Sequence, residues 1–146
     1  MASGLMGLGR MTEPGDIFSH IRLTLGRNGA LAGQHVVVTA GGTREPLDPV
    51  RYVGNYSSGK QGFALAQAAL DRGASVTLVA GAAAGLPTPI GATRVDVTTA
   101  AQMQQAVLEV CRDADALAMV AAVADFRPLQ TASQKIKKTA DATRSR

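Results

Sequence analysis

The sequence has 146 residues, of which 46% are hydrophobic and 3% aromatic, and it contains no tryptophan. Such a chain is long enough for one domain with tails, and a core of Val, Leu, Ala and Met favours a layered α/β fold over a β-sandwich. The single cysteine, Cys111, excludes an intramolecular disulfide, and no apolar run has the length of a membrane helix. We therefore expect a cytoplasmic protein without a membrane partner, and residues 1–11 lack the features of a signal peptide.

The formal net charge of +4 is concentrated at one end of the chain. Residues 135–146 hold five of the 15 basic residues and one of the 11 acidic residues, so the remaining sequence is neutral. No aromatic platform or recognition helix accompanies these charges, and we expect no nucleic-acid partner.

The first third of the chain predicts a helix and then a buried strand. Pro14 to Leu25 fits a short helix, capped by Thr12, with a stripe formed by Ile17, Ile21 and Leu25. A glycine-containing linker over residues 26–33 precedes a β-branched strand from His35 to Ala40. Residues 41–58 are predicted to be a long loop, and long loops in compact domains are usually functional.

The remaining elements alternate between helix and strand. A helix over residues 60–72 is followed by a strand over 75–80 and a short strand over 93–97. Thr98 or Thr99 can cap the next helix, which carries an apolar stripe from Met103 to Cys111. Residues 115–124 are apolar on both faces, which predicts a central strand. This order is typical of a Rossmann-like, doubly wound parallel sheet.

Ligands of such sheets bind beyond the carboxyl ends of the strands, where this sequence places three loops, over residues 40–44, 55–62 and 121–127. The first loop lacks both the G-x-G-x-x-G spacing and the P-loop pattern, which disfavours a standard NAD site, and its glycines fit an ordinary strand-to-loop turn equally well. Ser57, Ser58 and Gly59 precede a helix, where they can cap it or bind a phosphate.

The charged residues in and after these loops have more than one interpretation each. Asp125 can cap a strand end, bind a base or ribose, or hold a metal. Lys135, Lys137 and Lys138 fit a solvated charge run, or lysines that close over a triphosphate. His20 and His35 stand alone beside one cysteine, so we expect no transition-metal site.

Three segments, in this order, resemble a known family: TAGGTREPLDPVRYVGNYSSGKQG at 39–62, AAVADFRP at 121–128 and KIKK at 135–138. The family is the phosphopantothenoylcysteine synthetase domain, or phosphopantothenate–cysteine ligase, of the bacterial bifunctional coenzyme A biosynthesis proteins. ASGLMGLGRMTEP at 2–14 resembles the end of the preceding flavin-dependent decarboxylase domain, with Ser3 where many members have Cys. The resemblance implies a decarboxylase remnant and linker over 1–33, a synthetase domain over 34–138 and a disordered tail over 139–146.

The resemblance also implies a reaction and a homodimer. CTP, with Mg²⁺, would activate the carboxylate of 4′-phosphopantothenate as an acyl-cytidylate, which the amine of cysteine would then attack. Lys135 would stabilise the phosphoryl charge during activation, and Asn55 would orient the acyl-cytidylate. CTP would contact Met119, Val120, Ala121, Asp125 and Lys135. Phosphopantothenate would contact Gly42, Thr43, Arg44, Asn55, Ser57, Ser58 and Gly59.

Family members continue well past the lysine motif, which leads us to expect that this chain is incomplete, weak or inactive alone, and low in affinity for CTP. We also expect no bound FMN, so a yellow purified protein would contradict this expectation. A non-catalytic Rossmann-like module that binds a nucleotide or dimerises is the alternative function. An NAD(P)-dependent reductase is disfavoured by the glycine spacing.

Overall fold

The computed structural model describes residues 11–82 and 85–137. The predicted decarboxylase-like residues 2–10, Lys138 and the predicted tail over 139–146 lie outside the described residues. The predicted domain boundaries remain predictions.

The described elements alternate between strands and helices, as the sequence predicted. The helices are α1 (Pro14–Gly26), α2 (Lys60–Leu70) and α3 (Ala100–Val110), and a 3-10 turn, Cys111–Asp113, follows α3. The strands are β1 (His35–Ala40), β2 (Arg44–Pro46), β3 (Tyr52–Gly54), β4 (Ser75–Ala80), β5 (Ala92–Asp96) and β6 (Ala116–Met119).

Four of these strands form a parallel sheet in the order β5-β4-β1-β6. The register runs from His35 opposite Ser75 to Ala40 opposite Ala80 across β1 and β4, and Val37 lies opposite Leu117 across β1 and β6. The parallel α/β fold predicted from the sequence is therefore confirmed.

Helices α2 and α3 cover opposite faces of the sheet because successive side chains of a strand point to opposite sides. Val38 and Leu78 pack with Phe63 and Leu70 of α2 in one apolar cluster. Val37 and Val79 pack with Met103 and Val107 of α3 in the other. The chain is thus doubly wound around β1 and β4, both of which are buried.

The contact between α2 and β1 is close, and it requires a glycine. A Cβ atom on Gly62 would lie 2.5 Å from the Cβ of Ala40 and 3.0 Å from the carbonyl oxygen of Thr39. Gly59, whose φ of 71° lies in the left-handed region, starts α2. The sequence Ser-Ser-Gly-Lys-Gln-Gly thus brings the start of α2 directly against the carboxyl end of β1.

The predicted helix caps differ in outcome. Of the two threonines predicted to cap α3, Thr98 and Thr99, it is Thr99 that does so, in a capping box with Gln102. The predicted Thr12 cap of α1 is wrong, because Glu13 occupies the N-cap position and makes no side-chain capping bond. In α2 the N-cap is Gly59, while Ser57 Oγ accepts from the Gly59 amide at 3.3 Å and Ser58 Oγ from the Lys60 amide at 3.5 Å.

The apolar stripe predicted for α1 does not face the core. Ile17, Ile21 and Leu25 are exposed, whereas Leu23 packs against the α2 cluster and Gly26 is buried. Gly26 lies so close to the end of α2 that its Cβ would be 2.6 Å from the Asp71 carbonyl oxygen. The close main-chain contact between Gly26 and Asp71, rather than burial of the predicted apolar stripe, therefore sets the orientation of α1.

Two predictions about the long segments are wrong. Residues 41–58 contain an antiparallel hairpin of β2 and β3, in which Arg44 lies opposite Gly54. The predicted strand over 115–124 is shorter, and in the described sheet β6 is an edge strand rather than a central one. Beyond Met119 the chain leaves the ladder, because Val120 and Ala121 donate their amides to a side chain of β1 instead.

None of the helices within the described ranges combines the length and the apolar character that crossing a bilayer requires.

Candidate active site

The candidate site lies at the carboxyl ends of β1 and β6, where two buried threonines hold the returning chain. Thr39 Oγ1 accepts hydrogen bonds from the amides of Val120 at 3.0 Å and Ala121 at 3.1 Å. Thr43 Oγ1 accepts from the Ala124 amide at 2.9 Å. These hydroxyls give partly buried amides an acceptor, and they fix residues 120–124 along the loop that follows β1.

Main-chain bonds complete this connection. The Ala122 amide donates to the Gly41 carbonyl at 2.7 Å, and the Thr43 amide donates to the Ala122 carbonyl at 3.3 Å. The Ala82 amide donates to the Gly42 carbonyl at 2.7 Å. The loops after β1, β4 and β6 therefore form one connected wall at this edge of the sheet.

Asn55 lies in the crevice between the hairpin and this wall. Its side-chain amide donates to the Val123 carbonyl at 3.0 Å and to Asp125 Oδ2 at 3.2 Å. A Cβ atom on Gly42 would lie 2.8 Å from the main-chain oxygen of Asn55, so only glycine allows this approach. The structure thus joins Asn55 and Asp125, which are 70 positions apart in sequence.

A cavity of about 410 Å³ opens beside Asn55. Its lining includes five of the seven residues predicted to contact phosphopantothenate, namely Gly42, Thr43, Arg44, Asn55 and Ser57. Ser58 and Gly59 lie next in sequence, at the start of α2. The Arg44 guanidinium lies 4.8 Å from the ring centroid of Tyr52, which orients this cation at the rim of the cavity.

The positive end of the α2 dipole lies at the amino end of this helix, beside Ser57, Ser58 and Gly59. The first amides of a helix have no acceptor within the helix, and two of the amides here are held by serine hydroxyls at long distances. An anion therefore has both a favourable electrostatic field and available donors at this position.

A second, larger groove of about 650 Å³ lies between α3 and β6. Met119 and Asp125, two of the residues predicted to contact CTP, line it together with Met103, Val107 and Leu117. Val120 and Ala121 contribute main-chain atoms to the wall through their bonds to Thr39. Asp125 is exposed, so its carboxylate is accessible to a ligand.

Lys135 lies in a third cavity, of about 620 Å³, with Val50, Arg51, Ile136 and Lys137. The structure therefore brings Asn55 and Asp125 together but places Lys135 beside the turn of the hairpin, in a separate cavity. The side chain of Lys135 is exposed.

Three residues that organise this site were not predicted from the sequence: Thr39, Glu45 and Asp48. Each is a buried polar residue. Glu45 Oε1 accepts the Ala100 amide at 2.8 Å, which binds the hairpin to the positive end of α3. In the sequence these residues stand out only as a threonine within a run of valines and as two acidic residues in a proline-containing segment. Their hydrogen-bond partners lie 55 to 88 positions away in sequence.

The model of one protein family, the DNA/pantothenate metabolism flavoprotein C-terminal domain, matches residues 31–145 of the chain. The coenzyme A biosynthesis bifunctional protein CoaBC of Mycobacterium bovis is 54% identical over 136 residues, which are 90% of this chain and 32% of that protein. The chain spans about a third of the length of the curated relatives that it matches.

Solved structures show the same fold. The crystal structure of the C-terminal domain of a coenzyme A biosynthesis bifunctional protein CoaBC matches with a TM-score of 0.67 and 45% identity, over 70% of this chain and 52% of that one. A mutant of Cab2 in complex with phosphopantothenate-cysteine matches with a TM-score of 0.58 and 20% identity, over 88% of this chain and 56% of that one.

Proposed function

Because the chain belongs to the family of the DNA/pantothenate metabolism flavoprotein C-terminal domain, we propose that it forms part of a ligase joining 4′-phosphopantothenate to cysteine at the expense of CTP. The observation that carries the proposal is the contact of Asn55 with Asp125 and the Val123 carbonyl. This contact fixes an amide and a carboxylate in the crevice where α/β sheets bind nucleotides and their substrates. Membership of the family whose relatives include coenzyme A biosynthesis proteins supports the choice of substrates.

The proposed reaction has two steps. A carboxylate oxygen of phosphopantothenate attacks the α-phosphorus of CTP, and the bond from that phosphorus to pyrophosphate breaks. The cysteine amine then attacks the carbonyl carbon of the acyl-cytidylate, loses a proton and displaces CMP. Both steps depend on positioning and on stabilisation of phosphoryl charge more than on an acid–base pair.

Each predicted residue has a part in this proposal. The Asn55 side chain holds the acyl-cytidylate for attack by the amine, and the exposed Lys135 ammonium neutralises the triphosphate during activation. Asp125 accepts a hydrogen bond from the nucleotide. Phosphopantothenate lies against the wall of the 410 Å³ cavity and the amino end of α2, with these partners: Gly42, Thr43, Arg44, Ser57, Ser58 and Gly59. The nucleotide lies against Met119, which lines the groove beside α3, and against Val120 and Ala121, which follow it in the wall.

Mg²⁺ belongs to the proposal as the partner of the triphosphate. No group of three His, Cys, Asp or Glu side chains within residues 11–82 and 85–137 could hold a metal ion on its own. One exposed carboxylate, Asp125, fits a cation that keeps water and phosphate oxygens as its other ligands. When bound, the ion would neutralise phosphate charge.

A homodimer in the cytoplasm is the remaining part of the proposal. The hairpin exposes apolar and aromatic side chains, and such patches are typical of interfaces. They are Val50, Tyr52, Val53 and Tyr56. Sedimentation velocity would test the dimer directly, and a single monomeric species at 100-fold different concentrations would contradict it.

Pyrophosphate release tests the reaction. With CTP, Mg²⁺, phosphopantothenate and cysteine we expect slow release from the unaltered chain, loss of release in Lys135→Gln, and accumulation of acyl-cytidylate in Asn55→Asp. Nucleotide binding without any release would instead support a non-catalytic nucleotide-binding module. Thr93→Val, a change on the exposed surface of β5, is the matched control and leaves release unchanged.

A further inference from the structure

The segment that carries Lys135 runs along the tip of the hairpin. Thr131 Oγ1 donates to the Pro46 carbonyl at 3.0 Å, and the Ala132 amide donates to the Leu47 carbonyl at 2.9 Å. Residues 131–136 therefore follow the loop between β2 and β3 from its first residues onward.

Asp48 makes the decisive contacts of this segment. Its side chain is fully buried. Oδ1 accepts the Val50 amide at 2.8 Å and the Arg51 amide at 2.9 Å, both within the hairpin turn. Oδ2 accepts the Ile136 amide at 3.0 Å and the Arg51 guanidinium, with Nε at 3.0 Å. The two oxygens thus divide their partners, because one closes the turn and the other holds the distant segment.

Arg51 binds the carbonyl group of Ile136, the residue whose amide Asp48 accepts. Its Nη2 donates to the Ile136 carbonyl at 2.7 Å while the same guanidinium pairs with Asp48. Both main-chain polar groups of Ile136 are thereby fixed. The Ile136 amide belongs to the peptide bond that joins it to Lys135, so the plane of that peptide is set by the Asp48 carboxylate.

The ionisation of Asp48 fits this role. Burial alone would raise the pKa of Asp48, but hydrogen bonds from Ile136, Val50 and Arg51 hold it far below its ordinary value. The carboxylate is therefore charged at neutral pH, and charge-assisted hydrogen bonds are stronger than neutral ones.

We propose that Asp48 is a positioning residue for Lys135, fixing the Lys135–Ile136 peptide so that the exposed ammonium meets the triphosphate at a defined place. This inference rests on the proposed ligase function. The hairpin joins the two steps of that reaction, because Asn55 follows β3 directly and Asp48 lies at the turn. Strands of three residues span roughly 10 Å, so the length of this hairpin sets the separation of Asn55 from the Lys135 segment.

The variant Asp48→Asn separates positioning from simple support of the turn. An asparagine can keep its oxygen towards the Val50 and Arg51 amides, whereas its NH₂ group then faces the Ile136 amide and the Arg51 guanidinium, neither of which can accept. We expect amide hydrogen exchange at Ile136 to accelerate at least tenfold, with exchange at Val50 and Arg51 unchanged. Equal exchange at Ile136 in both proteins would overturn the proposal.

Single-turnover kinetics provides the second measurement. We expect formation of the acyl-cytidylate to slow by tenfold or more in Asp48→Asn, while its consumption by cysteine, which depends on Asn55, keeps its rate. Equal slowing of both steps would show that Asp48 only supports the hairpin, and it would overturn the proposal. Asp71→Asn, which removes a carboxylate that pairs with an arginine elsewhere, is the control and leaves both rates unchanged.

Different results would refute the ligase function and the role of Asp48. If the unaltered chain forms no acyl-cytidylate, the proposed function fails and the positioning of Lys135 for that reaction fails with it. If the unaltered chain reacts but Asp48→Asn forms the intermediate at the normal rate, the ligase function stands and the role of Asp48 is refuted.

Discussion

Thr39 is a polar residue within an apolar strand, and it holds the end of β6 in place. Its side chain is fully buried, and its hydroxyl oxygen is the acceptor for two successive amides, those of Val120 and Ala121. A valine has the same shape but offers no acceptor. The contribution of Thr39 to the fold therefore lies in the acceptor rather than in the volume of its side chain.

We expect Thr39→Val to lower the free energy of unfolding by about 2–6 kcal/mol, because two partly buried amides lose their acceptor at about 1–3 kcal/mol each. Urea denaturation followed by circular dichroism measures this change. Thr93→Val on the exposed surface of β5 is the matched replacement and should change stability by less than about 0.5 kcal/mol. Equal stability of the two variants would contradict the assignment of these hydrogen bonds.

At the scale of elements, α1 is held to α2 by a polar contact near the end of each helix. The Arg22 guanidinium pairs with the Asp71 carboxylate through two hydrogen bonds, and Gln67 donates to the same carboxylate at 2.9 Å. Burial raises the pKa of Asp71. The bonds from Arg22 and Gln67 and the charges of Arg22 and Arg72 together lower it by more, so that the net pKa lies below 3.8. The ionised carboxylate therefore stabilises the folded chain.

We expect Asp71→Asn to lower the free energy of unfolding by about 1–2 kcal/mol at pH 7, since hydrogen bonds to a partly exposed charge are lost. A lowered pKa in the folded state gives stability that is fully present above the ordinary value of 3.8 and is lost as the pH falls below it. The difference between the two proteins should therefore shrink as the pH falls below about 4 in urea titrations. Glu109→Gln, at an exposed carboxylate of α3, is the control. A difference that stays constant down to pH 2 would contradict this linkage.

The sequence predicted those elements whose signals are local. Strands β1 and β4 have the predicted bounds, and the stripes of α2 and α3 face the sheet. The hairpin was missed because its strands have three residues each and contain Pro46 and Gly54, which disfavour strands. The stripe of α1 was misplaced because a glycine contact with α2, which periodicity does not reveal, sets the orientation of that helix.

The part of the candidate site that could be predicted from the sequence is the part in the loops that follow the parallel strands. Parallel topology brought Gly42 and Asp125 to one edge, as the general rule for such sheets requires. The antiparallel hairpin, which was not predicted, returns Asn55 to the same edge. The position of Lys135 could not be predicted in the same way, because it depends on Asp48, whose link to Ile136 spans 88 positions. Single side-chain contacts over such separations leave no periodic signal in the sequence.

At the scale of the molecule, the two edges of the described sheet differ in character. Strand β5 carries Thr93, Arg94 and Asp96, which protect an edge through charge and polarity. Strand β6 presents Leu117 and Met119, which are 42% and 66% exposed, to the groove beside α3. Apolar side chains at an open edge favour association with another chain, so in this chain the β6 edge is a second surface for self-association beside the exposed hairpin.

We expect Leu117→Lys to reduce concentration-dependent association, because it places a charge at the apolar edge while the lysine stem still covers part of the groove. Light scattering between about 10 and 500 μM measures association, and urea denaturation should show a stability loss of no more than about 1 kcal/mol for this half-exposed side chain. Thr93→Lys adds the same charge at the β5 edge and should leave association unchanged. Because net charge is equal in the two variants, an equal reduction in both would show that general repulsion, rather than the β6 edge, controls association.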